Sequence, residues 1–279
     1  MAVYILTRFN IEIGAFVNNY NRVNPCLDET YLEQRFEIFE RYTLQSIMDQ
    51  TDQDFKWLVL FHSETPQRFV DRIKKIKGTC SQFFPVFLPP ETGSSYMYDV
   101  SKIIQADCPN KKVISIRLDN DDVLHRLFVK STRDYFDMNE SIRVLSYING
   151  LQYRISDCKT LTYSYPSNHF LSMCMDSSVK ENNILCYDHS MIEESFGTER
   201  IHFEDNYTPM WVEIISSTNV INGMTWLPQR IVVPYNVIYE YPNLMFNWNS
   251  RMKYVVEIIM NVPKSICFVF LYMWRKIKR

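Results

Sequence analysis

The fold of this chain is decided by the segment Val113-Ile114-Ser115-Ile116-Arg117-Leu118-Asp119-Asn120-Asp121-Asp122. A run of strand length that is mostly apolar ends directly in an acidic cluster. Runs of this kind are typical of buried strands in parallel sheets, and open α/β sheets bind ligands beyond the carboxyl ends of their strands. The segment therefore predicts a buried strand that delivers carboxylates to a ligand site.

The residues before this segment alternate between strand-like and helix-like runs. Apolar strands are predicted at 3–7, 56–61 and 83–88, and Pro85 places the last of them near a sheet edge. The spacing of apolar residues predicts helices over 29–48, after Pro66, and through 100–104. The resulting order, β-α-β-α-β-α-β, predicts an α/β fold with a doubly wound, mostly parallel sheet.

Beyond residue 140 the pattern becomes more antiparallel. Asn149-Gly150 lies between the strand-like runs 142–147 and 151–156, which predicts a hairpin turn, and further strands are expected at 161–165 and 170–175. This portion is predicted to pack against the first half. We therefore expect one domain over 1–255, divided into halves of about 1–140 and 141–255, followed by a tail over 256–279.

Composition excludes several classes of protein. The net charge is −2, so the chain lacks the basic footprint of a nucleic-acid binder. None of the six glycines forms the G-x-G-x-x-G or G-x-x-x-x-G-K spacing of dinucleotide and phosphate loops. The seven cysteines include no C-x-x-C pair and indicate reduced thiols without structural zinc.

The two ends of the chain bear on its location. Residues 1–6 resemble a first strand and lack the features of a signal peptide, which predicts a cytoplasmic protein. The apolar run 265–274 is followed by the basic residues 275–279 and is shorter than the ~20 residues needed to span a bilayer. Two alternatives stay open, a helix docked on the core and peripheral contact with an anionic membrane on its inner face.

The acidic cluster suits metal-assisted chemistry. Asp119 and Asp121 are predicted to share a Mg²⁺ or Mn²⁺ ion, which would neutralise charge on a diphosphate group. Arg117 would hold the carboxylates or reach a phosphate. The alternative is an acidic turn, with Asp121 or Asp122 as the N-cap of the next helix, and both roles can hold together.

Several segments together resemble a bacterial rhamnosyltransferase family whose members look like GT-A glycosyltransferases. The resemblance is strongest in the first half and returns near the end of the second. It rests on the segments 7–10, 35–47, 55–59, 64–66, 117–122 and 211–222.

The resemblance implies a GT-A-like fold and a nucleotide-sugar donor bound at the end of the first strand, around Thr7, Arg8 and Asn10. Glu64 would contact the base or ribose, while Asp119 and Asp121 would hold the metal. The acceptor would be a polysaccharide or a lipid-linked glycan, and rhamnose as the transferred sugar is implied by the family label alone.

The chain departs from the family at Ser216-Ser217, where the family has a His-Gly pair whose histidine would be a third metal ligand. His189 and His202 are the stand-ins that the sequence suggests. For the catalytic base the resemblance suggests Glu204 and Asp205, with His189 as the second candidate; the alternative for the acidic pair is a solvated loop. A nucleotidyltransferase or phosphotransferase, and a glycan-binding member without activity, remain alternative functions.

Overall fold

The computed structural model describes residues 1–11, 25–89, 95–178, 183–205, 208–217, 240–242 and 244. The predicted tail over 256–279, including the apolar-basic run from Ser265, lies outside these residues. Within the described part, no helix is long and apolar enough to cross a membrane.

Eleven strands are described. They are β1 (Ala2–Arg8), β2 (Lys56–His62), β3 (Phe83–Leu88), β4 (Lys112–Arg117), β5 (Val123–Leu124), β6 (Val144–Tyr147), β7 (Asn149–Arg154), β8 (Lys159–Ser164), β9 (Leu171–Asp176), β10 (Ile201–Glu204) and β11 (Trp211–Ile215). The α-helices are α1 (Glu29–Ile38), α2 (Leu44–Met48), α3 (Gln67–Thr79), α4 (Tyr96–Asp107), α5 (Phe128–Met138) and α6 (Ile192–Phe196). A π-helical turn, Phe39–Thr43, joins α1 to α2, so the helix predicted over 29–48 is confirmed.

The large sheet has seven strands in the order β10-β6-β9-β4-β1-β2-β3. All of its neighbouring strands pair in parallel except β9, which is antiparallel to both β4 and β6. Strand β3 is an edge strand, as Pro85 predicted. The predicted α/β class, with a doubly wound, mostly parallel sheet and an antiparallel C-terminal portion, is confirmed.

The side chains of β1 alternate between two apolar layers. Val3 and Ile5 join a core cluster that includes Phe36 and Phe69, from α1 and α3. Tyr4 and Leu6 join a second cluster on the opposite face, which includes residues of α4. Because both faces of the sheet are covered, the interior residues of β1, β2 and β4 are buried, whereas the edge strand β3 is partly exposed.

The predicted hairpin turn at Asn149-Gly150 is wrong. Strand β6 belongs to the large sheet, whereas β7 belongs to a second sheet of order β5-β11-β7-β8. Gly150 is instead required by packing, because a Cβ atom there would lie 2.1 Å from the Trp211 ring. The hairpin of this region joins β7 to β8, and Cys158 at its turn has a φ of 55°.

Candidate metal and donor site

The candidate site lies where β4 ends, at the carboxyl edge of the parallel strands. Asp119 and Asp122 follow β4 in the chain. Strand β9 runs antiparallel to β4 and therefore starts at this same edge. His169 lies two residues before β9, so strand direction brings it beside the acidic cluster across 47 residues of sequence.

Asp119, Asp122 and His169 form a group that could hold a metal ion. Each offers one ligand atom, and these atoms all lie within 4.8 Å of one another. His169 Nε2 is 2.7 Å from Asp122 Oδ2, while Asp122 Oδ1 accepts a hydrogen bond of 2.9 Å from the backbone N–H of Ile214 on β11. Asp122 thus links the two sheets.

The helix-cap prediction for Asp122 is wrong. Its chain continues directly into β5, and the next helix, α5, begins only at Phe128 with Leu127 as its N-cap residue. Strand β5 is only two residues long and pairs with β11, so the residues directly after Asp122 are extended and not helical.

Two arginines face Asp119. Arg117 Nε and Nη2 lie 3.3 and 3.2 Å from its two oxygens, and Arg8 Nη2 lies 3.4 Å from Oδ1. Burial alone would raise the pKa of Asp119, but the guanidinium groups of Arg117 and Arg8 outweigh it and hold that pKa well below its usual range. Asp119 is therefore an anion at neutral pH, with two cations positioned beside it.

Asp122 has the opposite electrostatic environment. Burial, together with the nearby carboxylates of Asp121, Asp119 and Glu213, raises its pKa well above the ordinary value. Burial also lowers the pKa of His169 and raises that of Glu213, which accepts a hydrogen bond of 2.7 Å from Gln152. A divalent cation would relieve this crowding of negative charge.

Asp121 is not in the group of three. Its Oδ2 pairs with Arg35 Nη1 of α1 at 3.1 Å, and the two side chains are 10% and 8% exposed. Arg35 Nη2 also donates to the side-chain oxygen of Asn120, whose Nδ2 donates to the carbonyl oxygen of Phe9 at 2.7 Å. The pair that the sequence predicted as metal ligands is thus split between two different partners.

Of the three residues expected at the end of β1, Arg8 reaches the acidic cluster. Thr7 is fully buried, and its hydroxyl accepts a hydrogen bond of 2.8 Å from Trp57 Nε1. The Asn10 amide donates to Cys26 O and Thr65 Oγ1 and accepts from the His62 backbone N–H. Glu64 is exposed after β2, at the same edge of the sheet, and its contact with a donor stays a prediction.

The candidate bases occupy different places. His189 lies beside the site, with its ring centroid 6.1 Å from that of His169. Glu204 instead contacts His202 at 2.8 Å, and that histidine stacks on Tyr135. Asp205 Oδ1 accepts a hydrogen bond of 2.9 Å from Asn149 Nδ2. His202 is therefore not a stand-in at the acidic cluster.

Two residues of this site were missed in the sequence. His169 precedes an apolar strand and has no motif around it, and Arg35 lies in a helix whose alternating charges are typical of an exposed face. A signal existed for His169, since a strand predicted at 170–175 and placed antiparallel next to β4 would start at the acidic cluster. Arg35 begins the segment 35–47, which carries part of the family resemblance, but nothing in that segment predicts its pairing with Asp121.

The family profile described as "Putative rhamnosyl transferase" matches residues 3–224 of the chain. This is most of its length, and the chain therefore belongs to that family. The glycosyltransferase class predicted from the sequence is confirmed at this level. No curated protein matches the sequence.

Solved structures with a similar fold include three glycosyltransferases. They are Staphylococcus aureus TarS residues 1–349 (10% identity, TM-score 0.42, 77% of this chain and 60% of that one), a Pyrobaculum calidifontis mannosyltransferase in complex with GDP-Man and Mn²⁺ (10%, 0.41, 77% and 57%), and mouse xyloside xylosyltransferase 1 (9%, 0.37, 74% and 85%). The chain thus spans less than two thirds of the first two.

Proposed function

We propose that the protein transfers a sugar from a nucleoside-diphosphate donor to a hydroxyl of a polysaccharide or lipid-linked glycan, with a divalent metal held by Asp119, Asp122 and His169. The observation that carries this proposal is the group of two carboxylates and one imidazole at the carboxyl edge of a parallel sheet, in a chain of a rhamnosyl transferase family. Rhamnose is the sugar that the family description favours.

The ligand atoms present fit the proposed metal. Carboxylate oxygens suit both Mg²⁺ and Mn²⁺, and an imidazole nitrogen is more usual for a transition metal, so Mn²⁺ fits better. When bound, the ion would neutralise charge on the leaving diphosphate. His169 would serve as the third metal ligand, since this sequence has Ser216 at the position where the family has a histidine.

Arg8 and Arg117 are proposed to bind the diphosphate. Both guanidinium groups stand within 3.5 Å of Asp119, and a guanidinium can contact two phosphate oxygens at once. They would stay beside the metal site, and some of their N–H groups would donate hydrogen bonds to phosphate oxygens of the donor. Thr7 is left out of this proposal because its hydroxyl is buried against Trp57.

His189 is proposed as the base that takes the proton of the acceptor hydroxyl. Its Nδ1 lies 2.8 Å from the carbonyl oxygen of Ser167. Because a carbonyl can only accept, Nδ1 carries the proton and Nε2 keeps its lone pair. Glu204 and Asp205 are engaged with His202 and Asn149, which favours His189 over both.

A binding assay tests the proposal. Thermal unfolding of the wild type is followed with UDP, GDP and dTDP sugars, each with and without Mn²⁺, together with release of the nucleoside diphosphate. We expect stabilisation by one nucleotide class that depends on Mn²⁺ and that Asp122→Asn abolishes. Asp71→Asn, which removes a carboxylate from the exposed face of α3, is the matched control. Equal responses of the two variants would refute the metal assignment.

A further inference from the structure

We propose that Asp121 is not a metal ligand but a positioning residue, which together with Arg35 anchors the acidic loop so that Asp119 and Asp122 face the metal. This inference rests on the proposed metal site. It goes against the Asp-x-Asp pattern of the sequence, in which Asp119 and Asp121 would share the ion.

The first argument is the ion pair itself. Both residues are buried, and Arg35 Nη1 lies 3.1 Å from Asp121 Oδ2. Burial lowers the pKa of the Arg35 guanidinium, but its interactions with Asp121, Tyr31 and Asp122 together outweigh burial and raise that pKa above its ordinary value. A buried cation of this kind requires its anion, because an unpaired charge is very costly in the interior. Using Asp121 to hold Mn²⁺ would weaken that pairing and set a second cation beside Arg35.

The second argument is that the anchor has three attachment points. Arg35 of α1 donates to Asp121 and to Asn120, and Asn120 donates in turn to Phe9 O just after β1. The loop after β4 is therefore tied to a helix and to the neighbouring strand. The residues on either side of this anchor, Asp119 and Asp122, are the two that lie within 4.8 Å of each other and of His169.

A charge-neutral double variant tests the inference. Asp121→Asn alone removes the carboxylate that faces Arg35 next to the site, and we expect Mn²⁺ binding to weaken by about 10- to 100-fold, as for other residues that support metal ligands. Asp121→Asn combined with Arg35→Gln restores the local charge balance. Neutral replacement of a buried ion pair is often tolerated, so this variant should fold even if the single one does not.

The readout is Mn²⁺ affinity, measured by electron paramagnetic resonance of free Mn²⁺ with and without UDP, GDP or dTDP. We expect the double variant to bind Mn²⁺ within about fivefold of the wild type, because two neutral side chains that can still hydrogen-bond replace the ion pair, and Asp119, Asp122 and His169 all remain. Weaker binding than that would mean that Asp121 is itself a ligand and would overturn the inference. Asp122→Asn is the comparison variant, since a lost ligand is not recovered by Arg35→Gln.

The outcomes also separate this inference from the proposed function. A wild type that binds no Mn²⁺ with any of the three nucleotides overturns the proposed metal site, and the inference with it. A wild type that binds Mn²⁺, beside a double variant that does not, overturns the inference alone. Thermal unfolding of the metal-free proteins adds a second readout, because the anchor predicts a lower midpoint for Asp121→Asn than for the double variant.

Discussion

Replacement of Gly150 by alanine is expected to destabilise the protein and loosen the candidate site at once. The new Cβ would lie 2.1, 2.2 and 2.4 Å from three atoms of the Trp211 ring, whereas carbon atoms in contact stand ~3.5–4.0 Å apart. The ring must therefore move by more than ~1 Å. It has little room to do so, because Trp211 is fully buried and stacks on Phe170 with ring centroids 4.7 Å apart.

The size of the effect follows from that packing. Overpacking a core typically costs ~1–3 kcal/mol, and we expect the upper end because the obstacle is a buried ring between two sheets. For a chain of this size, ~3 kcal/mol corresponds to a drop of about 6–12 °C in the unfolding midpoint. Phe170 also contacts His169, with centroids 4.2 Å apart, so displacement of Trp211 should weaken Mn²⁺ binding as well.

Gly78→Ala is the matched control for this experiment. Gly78 lies in α3, and a Cβ there would meet nothing within 4 Å. We expect it to stabilise the protein by about 0.4–1 kcal/mol through loss of backbone freedom in the unfolded chain. Both variants are compared by thermal and urea unfolding. A Gly150→Ala protein that unfolds within about 2 °C of the wild type would show that the described packing of Trp211 against β7 is wrong.

Three further predictions concern single side chains. Asp122→Asn should stabilise the metal-free protein at pH 7. Because the pKa of Asp122 is higher in the folded state, this residue lowers the free energy of unfolding at every pH above the unfolded value of 3.8. Unfolding in EDTA at pH 7 and at pH 4 checks this, and a gain in stability that does not shrink toward pH 4 would contradict it. His189→Gln should slow release of the nucleoside diphosphate by about 10²–10⁴-fold, because the proton acceptor is lost. The affinities for Mn²⁺ and for the nucleotide should stay unchanged. Equal losses in binding and in turnover would indicate a structural role for His189. Asp52→Asn should destabilise by about 1.5–3 kcal/mol at pH 7. Burial would raise the pKa of Asp52, but hydrogen bonds from Arg133 and the Asp54 backbone outweigh it and keep that pKa below 3.8, so the difference from the wild type should vanish as the pH falls through the folded pKa; a difference that persists in strong acid would speak against that ion pair.

Local patterns in the sequence predict the order of strands and helices well in the first half. Continuous apolar runs mark β1, β2 and β4, because both faces of these strands are buried. Helical spacing marks the helix from Glu29, because burial of one face of a helix imposes a period on its apolar residues. The place of Asp119 at the end of a buried strand follows from the same local reasoning. Family resemblance adds the glycosyltransferase class, which agrees with the match over residues 3–224.

What only the tertiary structure decides is which distant residues meet. Asn149-Gly150 carries a turn signal, yet the approach of Trp211 from β11 requires the glycine, and β6 and β7 go to different sheets. His169 joins the acidic residues because β9 runs against β4, and Arg35 takes Asp121 because α1 packs over the end of β1. Strand direction brings Asp122 and His169 together across 47 residues, and burial of charge pairs Arg35 with Asp121 across 86 residues. Local sequence periods carry no information over such separations.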